Sequence, residues 1–498
     1  MLAMMKVLVL VLSLFSAGLT DDEINSRYFP EGFKFGVANA ATQIEGGWLE
    51  DGKTESVWDR FAHTHPELIA DRSTPDIACD SYHKYKEDVA MVKAMGLDYY
   101  RLSIAWARIL PTGHADKVNQ AGVQYYKNLF AELKAANVEP MVTLYHWDLP
   151  QNLEDLHGGW LDETMADHFA EYARLCFELF KDDVKMWITI NEPKQVCQGG
   201  YGTGLLAPGV VSNGVGEYIC AKNVILAHAK AYHIYNDEFR ATNQGRIAMV
   251  IDTTWYEPGS DSEEDQEASE RILQFNFGLY ANPIFIGNWP QVVIDRVAQR
   301  SELEGFNSSR LPSFTDEEIA YVKGTYDYLA LNHYSTNMAN ATADSPIGDP
   351  SYANDISVLT WRQPEWPSGA ADWFAVVPWG LRHLLVWLKK TYGDVEIVIT
   401  ENGLSDTTGI MEDDHRISYY QGYLSACLDA IYEDGVNLST YTAWSIIDDW
   451  EWNGGYTSFL GMYYVNFTDP ERTRIPRKSA SWFTNMVATR CLVDTCTE

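Results

Sequence analysis

Residues 185–193 read Lys-Met-Trp-Ile-Thr-Ile-Asn-Glu-Pro, and this stretch decides the fold because a short apolar segment ends in a carboxylate. The segment is too short for a helix and contains β-branched residues, which predicts a buried strand that Pro193 terminates. Residues 395–403, Val-Glu-Ile-Val-Ile-Thr-Glu-Asn-Gly, repeat this layout. The two segments therefore predict paired carboxylates, Glu192 and Glu401, that face one pocket. The alternative is two unrelated loop carboxylates beside turn residues.

The composition excludes several classes of partner. Of the 498 residues, 70 are acidic and 37 are basic, which gives a formal net charge of −33. So acidic a surface repels nucleic acid and anionic membranes, and we expect neither as a partner. The 17 tryptophans and 29 tyrosines can fill a core, and they also offer the aromatic faces on which sugar rings stack.

The first 20 residues predict a secretory signal peptide. Lys6 precedes an apolar run over 7–15 and the small residues 16–18, which favours cleavage between residues 18 and 20. A membrane anchor is the alternative, but the run is too short to span a bilayer. We therefore expect a secreted, soluble protein over residues 21–498 that folds as a single domain.

Seven cysteines are too few for a disulfide scaffold, and none shows metal-ligand spacing, so we expect no metal and no cofactor. Cys491 and Cys496 pair either with each other or elsewhere, and the odd number leaves at least one free thiol. Four Asn-x-Ser/Thr sequons predict a glycoprotein wherever they are exposed; they lie at Asn307, Asn340, Asn437 and Asn466. Asn307 lies in a polar stretch and is the favoured site, whereas Asn437 begins an apolar run.

Strands and helices alternate along the chain without a change in composition. Eight apolar segments predict strands, at 33–40, 97–103, 139–147, 185–191, 246–251, 328–334, 395–402 and 438–445. Helical periodicity separates them, and we expect loops at 335–372 and, around an acidic cluster, at 263–265. Eight such units predict an α/β fold, the (β/α)8 TIM barrel.

In such a barrel, functional sites lie at the carboxyl ends of the strands. The residues at those ends come from strands far apart in sequence, and most are suited to sugar hydroxyls: Arg101, His146, Asn191, Glu192, Asn332, Tyr334, Glu401 and Trp444. We therefore expect them to share one site.

Four segments of the chain resemble a known family. Thr189 to Pro193 and Ile399 to Gly403 resemble the two signature motifs of family 1 glycoside hydrolases, the β-glucosidases and their relatives. Residues 33–48 are similar to the family's N-terminal signature, and residues 443–452 are similar to its C-terminal sugar-binding segment. The resemblance covers essentially the whole mature chain.

The resemblance implies a retaining mechanism with Glu192 as acid/base and Glu401 as nucleophile. Physically, the nucleophile must be ionised, and Arg101 is the natural partner that keeps it charged. By family resemblance, Tyr334 donates a hydrogen bond to the same carboxylate. The remaining positions are assigned to substrate binding: Gln43, His146, Asn191, Asn332, Glu451 and Trp452 at sugar hydroxyls, Trp444 as the floor beneath the sugar, and Trp373 at the leaving group.

The sequence departs from the family pattern at two places. Residues 459–461 read Phe-Leu-Gly, so Leu460 replaces an aromatic residue near the sugar 6-position, which leaves discrimination among glucose, galactose and fucose open. Lys194, Gln195 and Gln198 follow the acid/base closely and are unusual there. They suggest a polar or anionic leaving group, but an ordinary solvated lysine is the simpler interpretation of Lys194.

We therefore expect a secreted β-glucosidase that acts on a small-molecule β-glucoside, as a monomer or homodimer. One alternative is a myrosinase-type thioglucosidase that acts on glucosinolates. The plant enzymes of that type carry Gln at the acid/base position, whereas this chain keeps Glu192. The alternative of another class is a catalytically silent sugar-binding or receptor module, although such relatives usually lose a carboxylate that is present here.

Overall fold

The computed structural model describes residues 24–371 and 373–497, so the predicted signal peptide over residues 1–20 lies outside the described residues. The described strands are β1 (Lys34–Ala38), β2 (Tyr99–Ser103), β3 (Glu139–Tyr145), β4 (Met186–Asn191), β5 (Arg246–Asp252), β6 (Trp255–Pro258), β7 (Leu329–Asn332), β8 (Thr336–Ala341), β9 (Val358–Trp361), β10 (Ile397–Asn402), β11 (Leu438–Trp444), β12 (Tyr463–Val465) and β13 (Arg474–Pro476).

Eight of these strands form a closed parallel barrel in the order β1-β11-β10-β7-β5-β4-β3-β2. All eight predicted strands are present in it, so the predicted TIM barrel is confirmed. The barrel closes where β1 pairs with β11, with Ala38 opposite Trp444. The strand interiors are buried and apolar, as a parallel sheet covered by helices requires.

Two barrel strands change register just before their functional residues. In β4 the register shifts between Ile188 and Asn191, and in β10 it shifts between Ile399 and Glu401. Such irregularities re-aim the side chains that follow them, because one extra residue reverses the inward–outward alternation. The local backbone therefore selects which polar residues face the barrel axis.

Helices occupy the connections between the strands. They are α1 (Ala41–Ile44), α2 (Val57–Thr64), α3 (Ser81–Ala94), α4 (Trp106–Ile109), α5 (Gln120–Ala135), α6 (Gln151–His157), α7 (Met165–Phe180), α8 (Gly216–Ile234), α9 (Arg240–Asn243), α10 (Glu263–Leu273), α11 (Leu279–Phe285), α12 (Gln291–Leu303), α13 (Asp316–Val322), α14 (Tyr352–Ile356), α15 (Pro378–Tyr392), α16 (Asp414–Tyr432) and α17 (Lys478–Thr489). No described helix is long and apolar enough to cross a membrane.

Two expected loops are corrected by the structure. The acidic residues 263–265 form the first turn of α10, where the Ser262 hydroxyl accepts a hydrogen bond from the Asp265 amide and the negative charges suit the helix N-terminus. The stretch 335–372 contains β8, α14 and β9, and β8 pairs with β6 and β9 in a small sheet. The strand partner of β8 lies some 80 residues away, at Trp255–Pro258, so local periodicity did not reveal it.

Four cysteines form disulfides, Cys197–Cys220 and Cys491–Cys496, which selects the local alternative for the second pair. Three thiols remain free and buried, as the odd number required; they belong to Cys79, Cys176 and Cys427.

Among the sequons, Asn307 is exposed, and Asn437 is exposed as well despite the apolar run that follows it. The amide nitrogen of Asn340, the atom to which a glycan would attach, donates a hydrogen bond to Asp265.

Candidate active site

A cavity of about 510 Å³ opens at the carboxyl ends of the barrel strands. Its wall includes Glu192, Glu401, their neighbours from β3, β7 and β11, and several residues from the connecting loops. The volume suits a small ligand such as a monosaccharide with part of a leaving group. Among the described residues, no three His, Cys, Asp or Glu ligand atoms converge in this cavity. Its wall carries carboxyl groups, amides and aromatic rings.

Glu401 is buried and receives two strong hydrogen bonds. Arg101 Nη1 lies 2.5 Å from Oε1, and the Tyr334 hydroxyl donates to Oε2 at 2.6 Å. Burial raises the pKa of the Glu401 carboxyl, while Arg101 and Tyr334 oppose the rise by stabilising the ionised form. Both contacts stabilise the ionised form, so Glu401 is the carboxyl group of the pair that is favoured to carry the charge.

Glu192 follows β4 with φ at +45°, in the left-handed region that non-glycine residues adopt at a cost. Asn332 Nδ2 donates to its Oε1 at 2.7 Å. Burial raises the pKa of Glu192 well above its ordinary value, and the negative charges of Asp252 and Glu401 add to the rise. No arginine of the described residues contacts this carboxyl, so Glu192 is the group of the pair that retains its proton.

Asn191 lies behind the cavity wall and is wholly buried. Its Oδ1 accepts from Arg101 Nη2 at 2.7 Å, which fixes the amide orientation because a guanidinium can only donate. Its Nδ2, 3.0 Å from His146 Nε2, must therefore donate, which places the His146 proton on Nδ1. Burial and the charge of Arg101 lower the pKa of His146 well below its ordinary value, so this imidazole is neutral.

A second pair of carboxyl groups, of Glu451 and Asp449, lies at the inner end of the cavity, and of the two only Glu451 is part of the wall. Gln43 Nε2 donates to Glu451 at 2.9 Å and to Asp449 at 3.3 Å, and Gln43 Oε1 has no partner among the described residues. Burial raises the pKa of Glu451 to about 7, with a contribution from Glu401. Near neutral pH, Glu451 can therefore both donate to and accept from a ligand hydroxyl.

Aromatic residues form the floor of this inner end. Trp444 packs with Leu460 at the end of β11, and Trp452 stacks at 6.0 Å from the His146 ring. Gly403 lies directly under this floor, since a Cβ on it would stand 1.7 Å from the Trp444 carbonyl oxygen. The segment that carries Glu401 and the aromatic floor are therefore in direct backbone contact.

The outer end of the cavity contains an ion pair that replaces the solvated lysine expected at position 194. Lys194 Nζ lies 2.5 Å from Asp252 Oδ2, and the lysine side chain is only 11% exposed. Although burial opposes it, the charge of Asp252 raises the pKa of Lys194. Gln195 also donates to Asp252 at 2.9 Å, and Trp373 stands 57% exposed at the entrance.

Most of the predicted site residues line the cavity: Glu192, Glu401, Tyr334, His146, Asn332, Trp373, Trp444, Glu451 and Trp452. Arg101, Gln43 and Asn191 lie immediately behind this wall and act through hydrogen bonds to it. The sequence reasoning missed other wall residues, namely Asp252, Thr254, Tyr256 and Asn337. Asp252 is the last residue of β5 and lies one residue beyond the predicted strand. Functional residues of a barrel lie at the carboxyl ends of its strands, so a strand predicted to end at Asp252 would have identified it.

The chain is similar in sequence and in fold to known proteins. A sequence profile described as glycosyl hydrolase family 1 matches residues 25–491. Myrosinase 1 of Brevicoryne brassicae is 45% identical over 463 residues, which cover 93% of this chain and 98% of that protein. A solved aphid myrosinase superposes with a TM-score of 0.89 at 44% identity, covering 93% of this chain and 99% of its own. A rice Os3BGlu6 beta-glucosidase gives 0.88 at 40% identity, with coverage of 94% and 99%.

Proposed function

Since the chain belongs to glycosyl hydrolase family 1, we propose that it is a retaining β-glucosidase that hydrolyses terminal β-D-glucosyl residues of small, uncharged β-glucosides. The observation that carries the proposal is that two buried carboxyl groups in different environments lie beside the same amide, that of Asn332. Asn332 donates to Glu192, and it is also the strand partner of Glu401. One carboxyl is held ionised and the other protonated, which is the division that glycosidic cleavage needs.

Glu401 is the nucleophile in this proposal. Its carboxylate oxygen attacks the anomeric carbon, and a carbon–oxygen bond forms as the glycosidic bond breaks. Glu192 transfers its proton to the departing oxygen at the same time, so the leaving group departs as a neutral alcohol. Arg101 and Tyr334 hold the nucleophile in place without entering the bond changes.

The second step reverses the role of Glu192. Once Glu401 is esterified it carries no charge, and one of the charges that raise the pKa of Glu192 has gone. Glu192, now a carboxylate, takes a proton from water while the water oxygen attacks the anomeric carbon and releases Glu401. The structure of the site therefore supports one residue as acid in the first step and base in the second.

The inner end of the cavity supplies the sugar contacts. Trp444 offers an aromatic face to the ring, and Glu451 and the neutral His146 offer groups that can bond its hydroxyls. The free Oε1 of Gln43 is a further acceptor behind them. These groups suit the binding of a compact glucosyl unit. Leu460 contributes an apolar contact at one edge of the site.

The charge of the cavity supports an uncharged leaving group. Its wall includes four carboxyl groups, of Glu192, Asp252, Glu401 and Glu451, and one ammonium group, of Lys194. That ammonium is already neutralised by Asp252 at 2.5 Å. A sulfated leaving group would add a negative charge beside these carboxylates, which is unfavourable in a buried site.

A thioglucosidase is the second candidate, because Brevicoryne brassicae Myrosinase 1 is 45% identical to this chain. An activity panel decides between the two. We expect kcat/KM for neutral aryl β-glucosides to exceed that for a sulfated thioglucoside by at least about tenfold. The reverse order would establish the thioglucosidase, and no turnover of either would favour a silent sugar-binding module.

Trapping of the covalent intermediate tests the mechanism. A 2-deoxy-2-fluoro-β-glucoside with a good leaving group should release one equivalent of that group and leave the label on the peptide containing Glu401. Glu401→Gln should lose at least about a thousandfold in kcat, with Glu412→Gln, an exposed carboxyl, as the matched control. Label on another residue, or an active Glu401→Gln variant, would refute the assignment.

Replacement of the acid/base gives an independent test. Glu192→Ala should retain measurable formation of the glycosyl-enzyme with activated aryl glucosides, because such leaving groups need no proton. Added azide should then restore turnover and yield a β-glucosyl azide. The absence of rescue would count against the acid/base role of Glu192.

We propose further that the protein is secreted and acts as a monomer or homodimer without a cofactor. The apolar run after Lys6 and the two disulfides support export to an oxidising compartment. Detection of the mature chain in the medium of expressing cells, with its first residue between positions 19 and 21, is the measurement that checks this.

A further inference from the structure

Three histidines from three separate segments converge outside the catalytic cavity. His114 lies between α4 and α5, His157 is the last residue of α6, and His168 lies in the first turn of α7. A ring nitrogen of each lies within 4.8 Å of one on both of the others, and this is the one such group of three ligands among the described residues. None of the three lines the cavity that holds Glu192 and Glu401.

The three rings pack against one another, with His114 edge-on to the other two and His157 tilted against His168. The ring centroid of His168 lies 4.6 Å from that of His114 and 4.7 Å from that of His157. The Nε2 atom of His157 is buried and has no hydrogen-bond partner among the described residues. Buried polar atoms normally have a partner, so this unpaired imidazole nitrogen within a cluster of three imidazoles requires an explanation.

Carboxylates lie near the histidine rings. Asp167 and Glu171 are close enough to act electrostatically on the His168 ring. Asp162 also interacts with His157 and His168.

We propose that His114, His157 and His168 form a binding site for a divalent transition-metal ion of the Zn²⁺ class, with water at the remaining coordination position. Imidazole nitrogen is a ligand that Zn²⁺ and its neighbours in the first transition row prefer, whereas Ca²⁺ and Mg²⁺ prefer oxygen. Tetrahedral coordination at about 2.0–2.1 Å would bring the nitrogens to about 3.4 Å from one another. Small rotations of these partly exposed side chains supply that contraction.

The site joins two connections of the barrel rim, which also contact each other where Asn152 donates a hydrogen bond to the Thr112 carbonyl. His114 belongs to the connection after β2, and His157 and His168 belong to the connection after β3 and to the helix that follows it. The connection after β3 begins with His146 and Trp147, which line the catalytic cavity. The metal is therefore a structural cross-link that stabilises this part of the rim and takes no part in glycoside cleavage.

Metal titration of the untagged, full-length, chelator-treated enzyme tests the proposal. Isothermal titration with Zn²⁺ should show one saturable site per chain, and Zn²⁺ should raise the unfolding temperature. Co²⁺ should give the visible absorption bands of a low-coordinate nitrogen site. Absence of a one-to-one site for both ions would overturn the proposal.

Single replacements identify the ligands. His157→Gln and His168→Asn should each weaken Zn²⁺ binding by more than about tenfold and abolish the Co²⁺ bands. The matched control is His65→Asn, because His65 is a half-exposed histidine outside the cluster, paired with Glu67. All three variants should keep wild-type circular dichroism and glucosidase activity without metal. Undiminished binding in the double variant His157→Gln/His168→Asn would refute the site.

Discussion

Replacement of Tyr334 by phenylalanine isolates one hydrogen bond of the proposed nucleophile. The Tyr334 hydroxyl donates to Glu401 Oε2, while its ring packs edge-on against Trp373 and Phe374. Phenylalanine keeps the ring contacts and removes only the donor. The hydroxyl stabilises the ionised carboxylate, so its removal raises the pKa of Glu401, and the acidic limb of the pH profile of kcat/KM should move to higher pH.

The size of the shift follows from the geometry. The Tyr334–Glu401 oxygen distance of 2.6 Å is that of a charge-assisted hydrogen bond. Such a bond contributes about 1.5–3 kcal/mol. One pKa unit corresponds to about 1.36 kcal/mol, so the acidic limb should rise by about 1 to 2 pH units. Arg101 remains in place, so the variant should recover activity at higher pH.

The assay is the initial rate of aryl β-glucoside hydrolysis at low substrate across about pH 4–9. Tyr420→Phe is the matched control, because the Tyr420 hydroxyl is buried and has no hydrogen-bond partner among the described residues. The alkaline limb, which reports Glu192, should move much less than the acidic limb. An unmoved acidic limb, or an equal shift of both limbs, would refute this account of the nucleophile.

Three further perturbations test other parts of the structure. Asp252→Asn removes a charge that raises the pKa of Glu192, so the alkaline limb of kcat/KM should fall by about 1 pH unit or more; an unchanged limb would contradict this. Gly403→Ala places a Cβ 1.7 Å from a backbone oxygen of β11 and should destabilise the fold by at least about 1–3 kcal/mol in urea unfolding. Loss of the Cys197–Cys220 disulfide, which spans 23 residues, should cost about 3 kcal/mol, measured for the double serine variant against the oxidised parent.

The barrel could be predicted because its strands are local signals. Segments such as 246–251 and 438–445 are short, apolar and bounded by turns, and each coincides with a barrel strand. Strand ends then predicted which polar residues would meet, since parallel strands share one carboxyl edge. The small sheet of β6, β8 and β9 was missed because its pairing is non-local and half of the β8 residues are polar.

The site could be predicted residue by residue only in part. Lys194 gave no sign that it would lie beside Asp252, because the two residues are 58 positions apart and meet only when β4 and β5 pair. Nor did sequence indicate that Asn191 would have its amide atoms occupied by Arg101 and His146. Such contacts depend on the register shifts in β4 and β10, which composition and periodicity do not encode.

The closure of the barrel has a consequence for biosynthesis. β1, which the ribosome makes first, is hydrogen-bonded to β11, and the Trp444 at the end of β11 is opposite Ala38. Until about residue 444 has left the ribosome, one edge of β1 is unpaired and the aromatic floor is missing. Nascent chains that stop short of β11 should therefore be inactive and prone to association, and activity should appear only when the last barrel strand has emerged.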